Sequence, residues 1–143
     1  MTECIELTTV SEWRTVYPLM HQLRTPLTES DYLTLTQEAH EQEGYHLFAL
    51  RDTNHILSLT GFMPMTTLYY GRFIWICDLV TDRAERSNGY GRQLLTFVHS
   101  WGKARGFSTI ALSSGLQRHN AHRFYEEKAG YQRVSYVFKK SID

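Results

Sequence analysis

The sequence predicts a mixed α/β domain: two helices, a β-meander, a strand–helix–strand unit, then a closing helix and strand. Three observations carry this. A chain of 143 residues with 42% hydrophobic content is the size of one compact domain with one core. Between positions 46 and 81, runs rich in β-branched and aromatic residues replace the three- and four-residue recurrence that precedes them. A patterned helix then lies between two such runs, the arrangement of a crossover that makes its strands parallel. No repeat, low-complexity tract or Pro/Gly-rich linker interrupts the chain, so 1–143 reads as a single domain.

Each element has its own signal. From Thr9, the residues Val10, Trp13, Val16, Tyr17, Met20 and Leu23 recur at helical spacing, and Thr9 with Glu12 has capping-box spacing. Pro26 breaks this first helix; a second, less regular one runs from about 30 to 40 with Tyr32, Leu33 and Leu35 as its apolar residues. HLFALRD (46–52), HILSLTGFM (55–63) and RFIWICDLVT (72–81) read as strands, with a hairpin turn over 52–54 between the first two. YGRQLLTFVHSWGKA places Leu94, Leu95, Val98 and Trp101 on one helical face and ends at Gly106, a C′ glycine. TIALSS, from Thr109, reads as a strand, 121–128 as a short helix behind Asn120, and YQRVSYVFKK (131–140) as the last strand.

Charge and composition exclude several functions. Fifteen Lys plus Arg balance fifteen Asp plus Glu, so no global field draws the chain onto nucleic acid or an acidic membrane, and a small or neutral partner is expected. The N-terminus has no basic stretch followed by an apolar run, and nothing approaches the roughly 20 apolar residues that span a bilayer, so a cytoplasmic protein is expected. Cys4 and Cys77 lie in no CxxC pair and no metal-ligand spacing; both are expected reduced, with no metal site.

The chemistry-bearing stretch is RSNGYG, Arg86 to Gly91, the loop entering the crossover helix. The first N–H groups of a helix have no intrahelical partners and carry the positive end of its dipole, so they can cradle an anion. Glycines let a phosphate reach the backbone, and Arg86 adds a planar cationic fork. With glycine near ~7% of residues, a Gly-x-Gly pair is expected about once by chance in such a chain, so the placement between strand and helix carries the reading. A dinucleotide fingerprint needs a third glycine where Leu94 stands, and a P-loop needs an absent Gly-Lys-Ser/Thr ending.

Arg86, Gly89 and Gly91 resemble the Arg/Gln-x-x-Gly-x-Gly/Ala loop of the GNAT family of N-acetyltransferases, which binds acetyl-CoA. DLVTDRAERSNGYGRQLL is similar to the family's fourth strand, loop and third helix, and NAHRFYEEKAGY to its later segment containing the Phe-Tyr pair. The likeness covers about 74–139, and the first half agrees in element order. It implies the GNAT acyltransferase fold: a central mixed, mostly antiparallel sheet flanked by helices. EEKAGY departs from the family pattern by one extra residue before Gly130, which puts the course of that turn in question.

The resemblance implies an acetyl-CoA-dependent N-acetyltransferase, acting by direct attack of a primary amine on the thioester. The acceptor is the amine of a small molecule or of a protein or peptide. The cofactor residues it implies are the loop and helix start Arg86, Ser87, Asn88, Gly89, Tyr90, Gly91 and Arg92, the strand edge Leu79, Val80 and Thr81, where the fourth strand splays from the fifth at a bulge, and Asn120. Such transfer needs a neutral amine, a polarised carbonyl and a proton for the departing thiolate. Tyr125 is the candidate proton donor, with Phe124 turned about 100° away into the core; the other reading takes both aromatics as core. Asp78, a charge inside an apolar run, is either the general base, direct or through water, or a fixture pairing with Arg83, Arg86 or a backbone N–H. His119 and His122 are weaker base candidates among seven histidines, and His99 reads as surface. Asn120 is a helix N-cap, a pantetheine contact, or both.

RHNAHRFYEEKAGY also resembles the corresponding segment of aminoalkylphosphonate acetyltransferases, a likeness too local to name a substrate. The aromatic stretch from Phe62 to Trp75 either lines an acceptor pocket or fills the core, the core being expected for its alternating members. The alternative function is a catalytically idle module that binds acyl-CoA as a sensor or interaction domain; it needs the loop but neither Tyr125 nor Asp78. Strands at the ends of the sheet leave pairing groups that a second copy can cover, so a homodimer is an allowed assembly.

Overall fold

A computed structural model of the chain describes residues 1–53 and 55–143. The chain divides into two compact units, Met1–Leu112 and Ser113–Asp143. The first holds a mixed five-stranded sheet in the order β1-β2-β3-β4-β5, antiparallel until the last pair, β4 and β5, which is parallel. Among the described residues, no helix is long and apolar enough to cross a membrane.

The N-terminal strand β1 (Glu3–Leu7) was not expected; it pairs with β2 (His46–Arg51), and its only sequence signal is the alternation of Ile5, Glu6 and Leu7. The expected first helix is two: α1 (Val10–Thr15) and α2 (Tyr17–Leu23). Pro18 causes the division, because it has no N–H to continue α1 and is well suited to the first turn of α2. The Thr9–Glu12 capping box forms with both of its bonds. Helix α3 (Glu29–Gln42) outruns the expected 30–40; Tyr32 is buried on it, whereas Leu35 points to solvent and Thr36 takes the inner position.

Strands β3 (Ile56–Thr67) and β4 (Gly71–Thr81) form a long hairpin. The expected turn over 52–54 includes Asn54, which lies outside the described residues; beside it, Asp52 N–H donates to the His55 carbonyl and Asp52 Oδ1 accepts from His55 N–H. Phe62 and Phe73 are core, but Tyr69 and Tyr70 stand exposed at the hairpin end. Helix α4 (Tyr90–Ala104) buries Leu94, Leu95 and Val98 as patterned. It ends in a Schellman motif: Gly106 N–H donates to Lys103 and Phe107 N–H to Gly102, with Gly106 at φ 84°. A Cβ at Gly102 would lie 2.5 Å from Ile74 Cδ1, so this glycine lets α4 press onto β4. Strand β5 is short, Ile110–Leu112.

The second unit consists of α5 (His119–Arg123), a π-helical turn Phe124–Lys128 and a tail. The expected last strand, 131–140, is not formed: residues 131–143 carry no bridge, turn or bend. A strand exists only against a partner, which an apolar pattern alone does not supply.

Candidate active site

The site is built on an irregularity in β4. Gly61 faces Asp78 and Phe62 faces Ile76, so Cys77 is an extra residue, a β-bulge. Pairing between β4 and β5 covers only Ile74, Trp75 and Ile76 and stops one residue before that bulge. Beyond it, 77–81 keeps β3 on one side and, among the described residues, no strand on the other. At Leu79, Val80 and Thr81, where the family resemblance implies a splay, β4 is paired with β3 alone among the described residues. Val80 itself turns its side chain into the core.

A bulge strands polar groups, and here Arg24 and Tyr45 collect them. Arg24, at the C-cap of α2, donates to the Cys77 carbonyl at 2.7 Å and pairs with Asp78 Oδ1 at 3.0 Å. The Tyr45 hydroxyl donates to Asp78 Oδ2 at 2.7 Å. Burial, then the Asp78 charge, push the Tyr45 phenol well above its ordinary 10, so it stays a donor. Asp78 thus has both oxygens engaged, by Arg24 and Tyr45 rather than by the Arg83 or Arg86 expected as its partners. Behind it, Thr60 Oγ1 donates to the Asp78 carbonyl and Ser58 Oγ to that of Val80, while Ser58 Oγ also shares a bond with Thr81 Oγ1. Burial, followed by Asp78, holds the Cys77 thiol at about 12, so it offers no thiolate for a covalent relay.

From Thr81 the chain enters the glycine loop through a tethered turn. Asp82 N–H donates to Leu57, Asp82 Oδ1 caps the 3-10 turn Arg83–Glu85 through Ala84 N–H, and Gln22 bonds both Asp82 and Arg83. His55 Nε2 meets Glu85 Oε1 at 3.0 Å, which raises the His55 pKa from 6.5, and Asn88 Nδ2 donates to the Glu85 carbonyl. Ser87 (φ 70°) and Gly89 (φ 79°) then take left-handed conformations around Asn88. Gly89 is the N-cap of α4, no side chain caps that helix, and nothing lies within 4 Å of where a Gly89 Cβ would stand. Arg86 and Arg92 are exposed beside it. Unsatisfied N–H groups, open space at a glycine and two guanidiniums fit a pyrophosphate.

The second unit carries the remaining candidates. Asn120 is not the helix cap: α5 begins at His119 behind Arg118, with no side-chain cap. Phe124 and Tyr125 are adjacent rings, 5.4 Å between centroids, and Phe124 is half-buried rather than fully inside a core as expected. The extra residue in EEKAGY is absorbed by the π turn, in which Ala129 N–H reaches the Phe124 carbonyl; Gly130 (φ 78°) then ends the helix. His122 Nε2 is within 2.8 Å of the Gly115 carbonyl, while His119 and the α4 residue His99 are exposed. Asp78–Thr81 and Arg86–Arg92 therefore fall together in the first unit, and Asn120 and Tyr125 in the second.

Comparison with known proteins gives the family. The profile of the Acetyltransferase (GNAT) family matches residues 8–131. A Bacillus subtilis (strain 168) protein, the uncharacterized N-acetyltransferase YhdJ, is 42% identical over 137 residues, 96% of each chain. The crystal structure of a GNAT family acetyltransferase from Staphylococcus aureus superposes with TM-score 0.78 at 21% identity, covering 99% of this chain and 98% of the other. That of AAC(6')-Iy with the bisubstrate analog CoA-S-monomethyl-acetylneamine gives 0.84 at 13%, covering 100% and 99%.

Proposed function

Since the chain belongs to the GNAT family of acetyltransferases, we propose that it transfers an acetyl group from acetyl-CoA to a primary amine, of a small molecule or of a peptide or protein. The observation that carries the reading is the entry to α4, where Ser87 and Gly89 turn left-handed and leave its first N–H groups uncapped beside open space. In this reading 1–143 acts as one cytoplasmic acetyltransferase domain, with cofactor binding in about 74–139 and a homodimer as an allowed assembly.

The backbone of Ser87 to Gly91, with Arg86 and Arg92, holds the pyrophosphate. The open edge at Leu79, Val80 and Thr81 pairs with the amide-bearing pantetheine arm, and Asn120 adds a side-chain amide contact. Acetyl-CoA supplies the acyl group: the amine nitrogen bonds to its carbonyl carbon, the carbon–sulfur bond breaks, and sulfur leaves with the electron pair. Tyr125 gives that sulfur its proton. Asp78 accepts the proton lost by the amine, at the oxygen it shares with Arg24, once the guanidinium gives way; with Arg24 in place it secures the bulge. Transfer is direct in this reading, and burial, which pushes the Cys77 thiol up to about 12, disfavours an acyl relay through that residue.

A screen of amines with acetyl-CoA, read as free thiol, tests the activity. Tyr125→Phe keeps the ring and removes the donor, so on the best acceptor turnover falls by roughly 10²-fold or more with little change in CoA affinity. Full activity in that variant removes Tyr125 from the chemistry. A folded chain that binds CoA and acetylates no amine is instead the idle module.

A further inference from the structure

At the bulge of β4 an arginine stands half in water. Arg24 Nε and Nη2 both reach Asp78 Oδ1, at 3.1 and 3.0 Å, and Nη2 also donates to the Cys77 carbonyl. Among the described residues these bonds leave Nη1 as an unused donor. The arginine is held by its own turn: its carbonyl accepts from Leu27 N–H, and the Leu27 carbonyl accepts from the Tyr17 hydroxyl at 2.6 Å. Its side chain is nevertheless 45% exposed, against 15% for Asp78. An ion pair this open to water adds little stability, and the Cys77 carbonyl needs a donor rather than a charge.

The pair presents a cation and an anion in contact, and what matches it is a small molecule whose opposite charges lie equally close. Given the acetyl-transfer reading, on which this rests, we propose that the acceptor is a free α-amino acid, its carboxylate on the Arg24 guanidinium and its ammonium on Asp78 Oδ1. One carbon separates the two groups in such a molecule, so both reach side chains that touch each other. Peptide and protein amines lack the match, because an amide replaces the carboxylate beside the amine. A planar carboxylate takes two parallel N–H bonds from the guanidinium fork, whereas a phosphonate brings a further oxygen and more negative charge toward Asp78.

The same contact readies the base. As the substrate carboxylate takes up the guanidinium, Asp78 Oδ1 loses its bonds from Arg24 and is left to the ammonium, while the Tyr45 hydroxyl keeps Oδ2. The ammonium gives one proton to Oδ1. The neutral nitrogen then bonds to the thioester carbon, the carbon–sulfur bond breaks, and a second nitrogen proton balances the one that sulfur takes. One N–H remains in the N-acetyl amino acid.

Matched acceptors test this: the common α-amino acids, their carboxamides, their decarboxylated amines and their phosphonate analogues, each with acetyl-CoA and read as free thiol. The expected result is a kcat/KM for the preferred amino acid about 10-fold or more above those of its three counterparts, which lack that charge-assisted carboxylate contact. Arg24→Gln keeps a donor for the Cys77 carbonyl and removes the charge. It is expected to raise the KM of the amino acid by about 10-fold or more and to leave kcat/KM for the carboxamide unchanged. Carboxamides, amines or phosphonates used as well as the amino acids overturn the proposal while the acetyltransferase reading stands. So does an Arg24→Gln protein that loses amino acid and carboxamide alike, the mark of a purely structural arginine. A chain that binds CoA and acetylates nothing in the panel overturns both.

Discussion

The Tyr45 hydroxyl donates to Asp78 Oδ2 at 2.7 Å while the same oxygen occupies the space above Gly61, 1.8 Å from where a Cβ there would stand. The bulge, the bare glycine opposite it and the buried phenol are thus one device. Gly61 makes room for Tyr45, and Tyr45 fixes the carboxylate that follows the bulged Cys77.

Gly61→Ala cannot be accommodated without moving Tyr45, so it breaks the bond to Asp78, whereas Tyr45→Phe breaks it with the ring left in place. The second change leaves a partly buried carboxylate oxygen without its donor and is expected to cost about 1–3 kcal/mol. Urea unfolding measures both, and Gly61→Ala should be the more damaging. A Gly61→Ala protein of wild-type stability would mean that Tyr45 is not held where it lies.

Arg24 separates the two roles of Asp78. If Asp78 takes the proton, Asp78→Asn lowers kcat by roughly 10²-fold or more with CoA affinity little changed, while Arg24→Ala costs far less turnover. If Asp78 only anchors the bulge, both substitutions lower stability and CoA affinity together. Single-turnover rates and CoA titration of the two variants distinguish the roles.

The loop ahead of Gly89 carries a pH-sensitive tie. The hydrogen bond to Glu85 raises the folded-state pKa of His55 above 6.5, helped by the charge of Asp52. A raised value means a contribution fully present below the unfolded pKa and lost as pH rises through the folded one, a window that begins at 6.5. Thermal unfolding between pH 6 and 8 should therefore decline across that window in the wild type and stay flatter in Glu85→Gln. Equal slopes in the two proteins would remove His55 from the account.

What was legible in the sequence was local. The capping box, the Gly106 stop, the buried stripe of α4 and the glycine loop each rest on residues a few positions apart, and each is present. The gathering of Arg24, Tyr45 and Gly61 around Asp78 spans much of the first unit, and no short pattern encodes it. Gly61 alone gave a hint, since an isolated glycine within a strand marks a bulge or a close approach. The split at Val16 was written in Pro18 but outweighed by the unbroken apolar recurrence. The last strand has the alternation of a strand, and whether it forms depends on a partner that no pattern within the segment supplies.

The central claim is that CoA is held by its pyrophosphate at the start of α4, and titration of Gly91→Val with CoA tests it most directly. Gly89 is the poorer choice, because at φ 79° any side chain strains the backbone. Gly91 lies in the first helical turn, where a β-branched side chain blocks the approach to the uncapped N–H groups while the helix persists. The expected result is a folded protein with wild-type circular dichroism whose CoA affinity is lower by ~10-fold or more, the worth of about 1.4 kcal/mol of lost phosphate contact. An unchanged dissociation constant in a folded Gly91→Val protein would contradict the account.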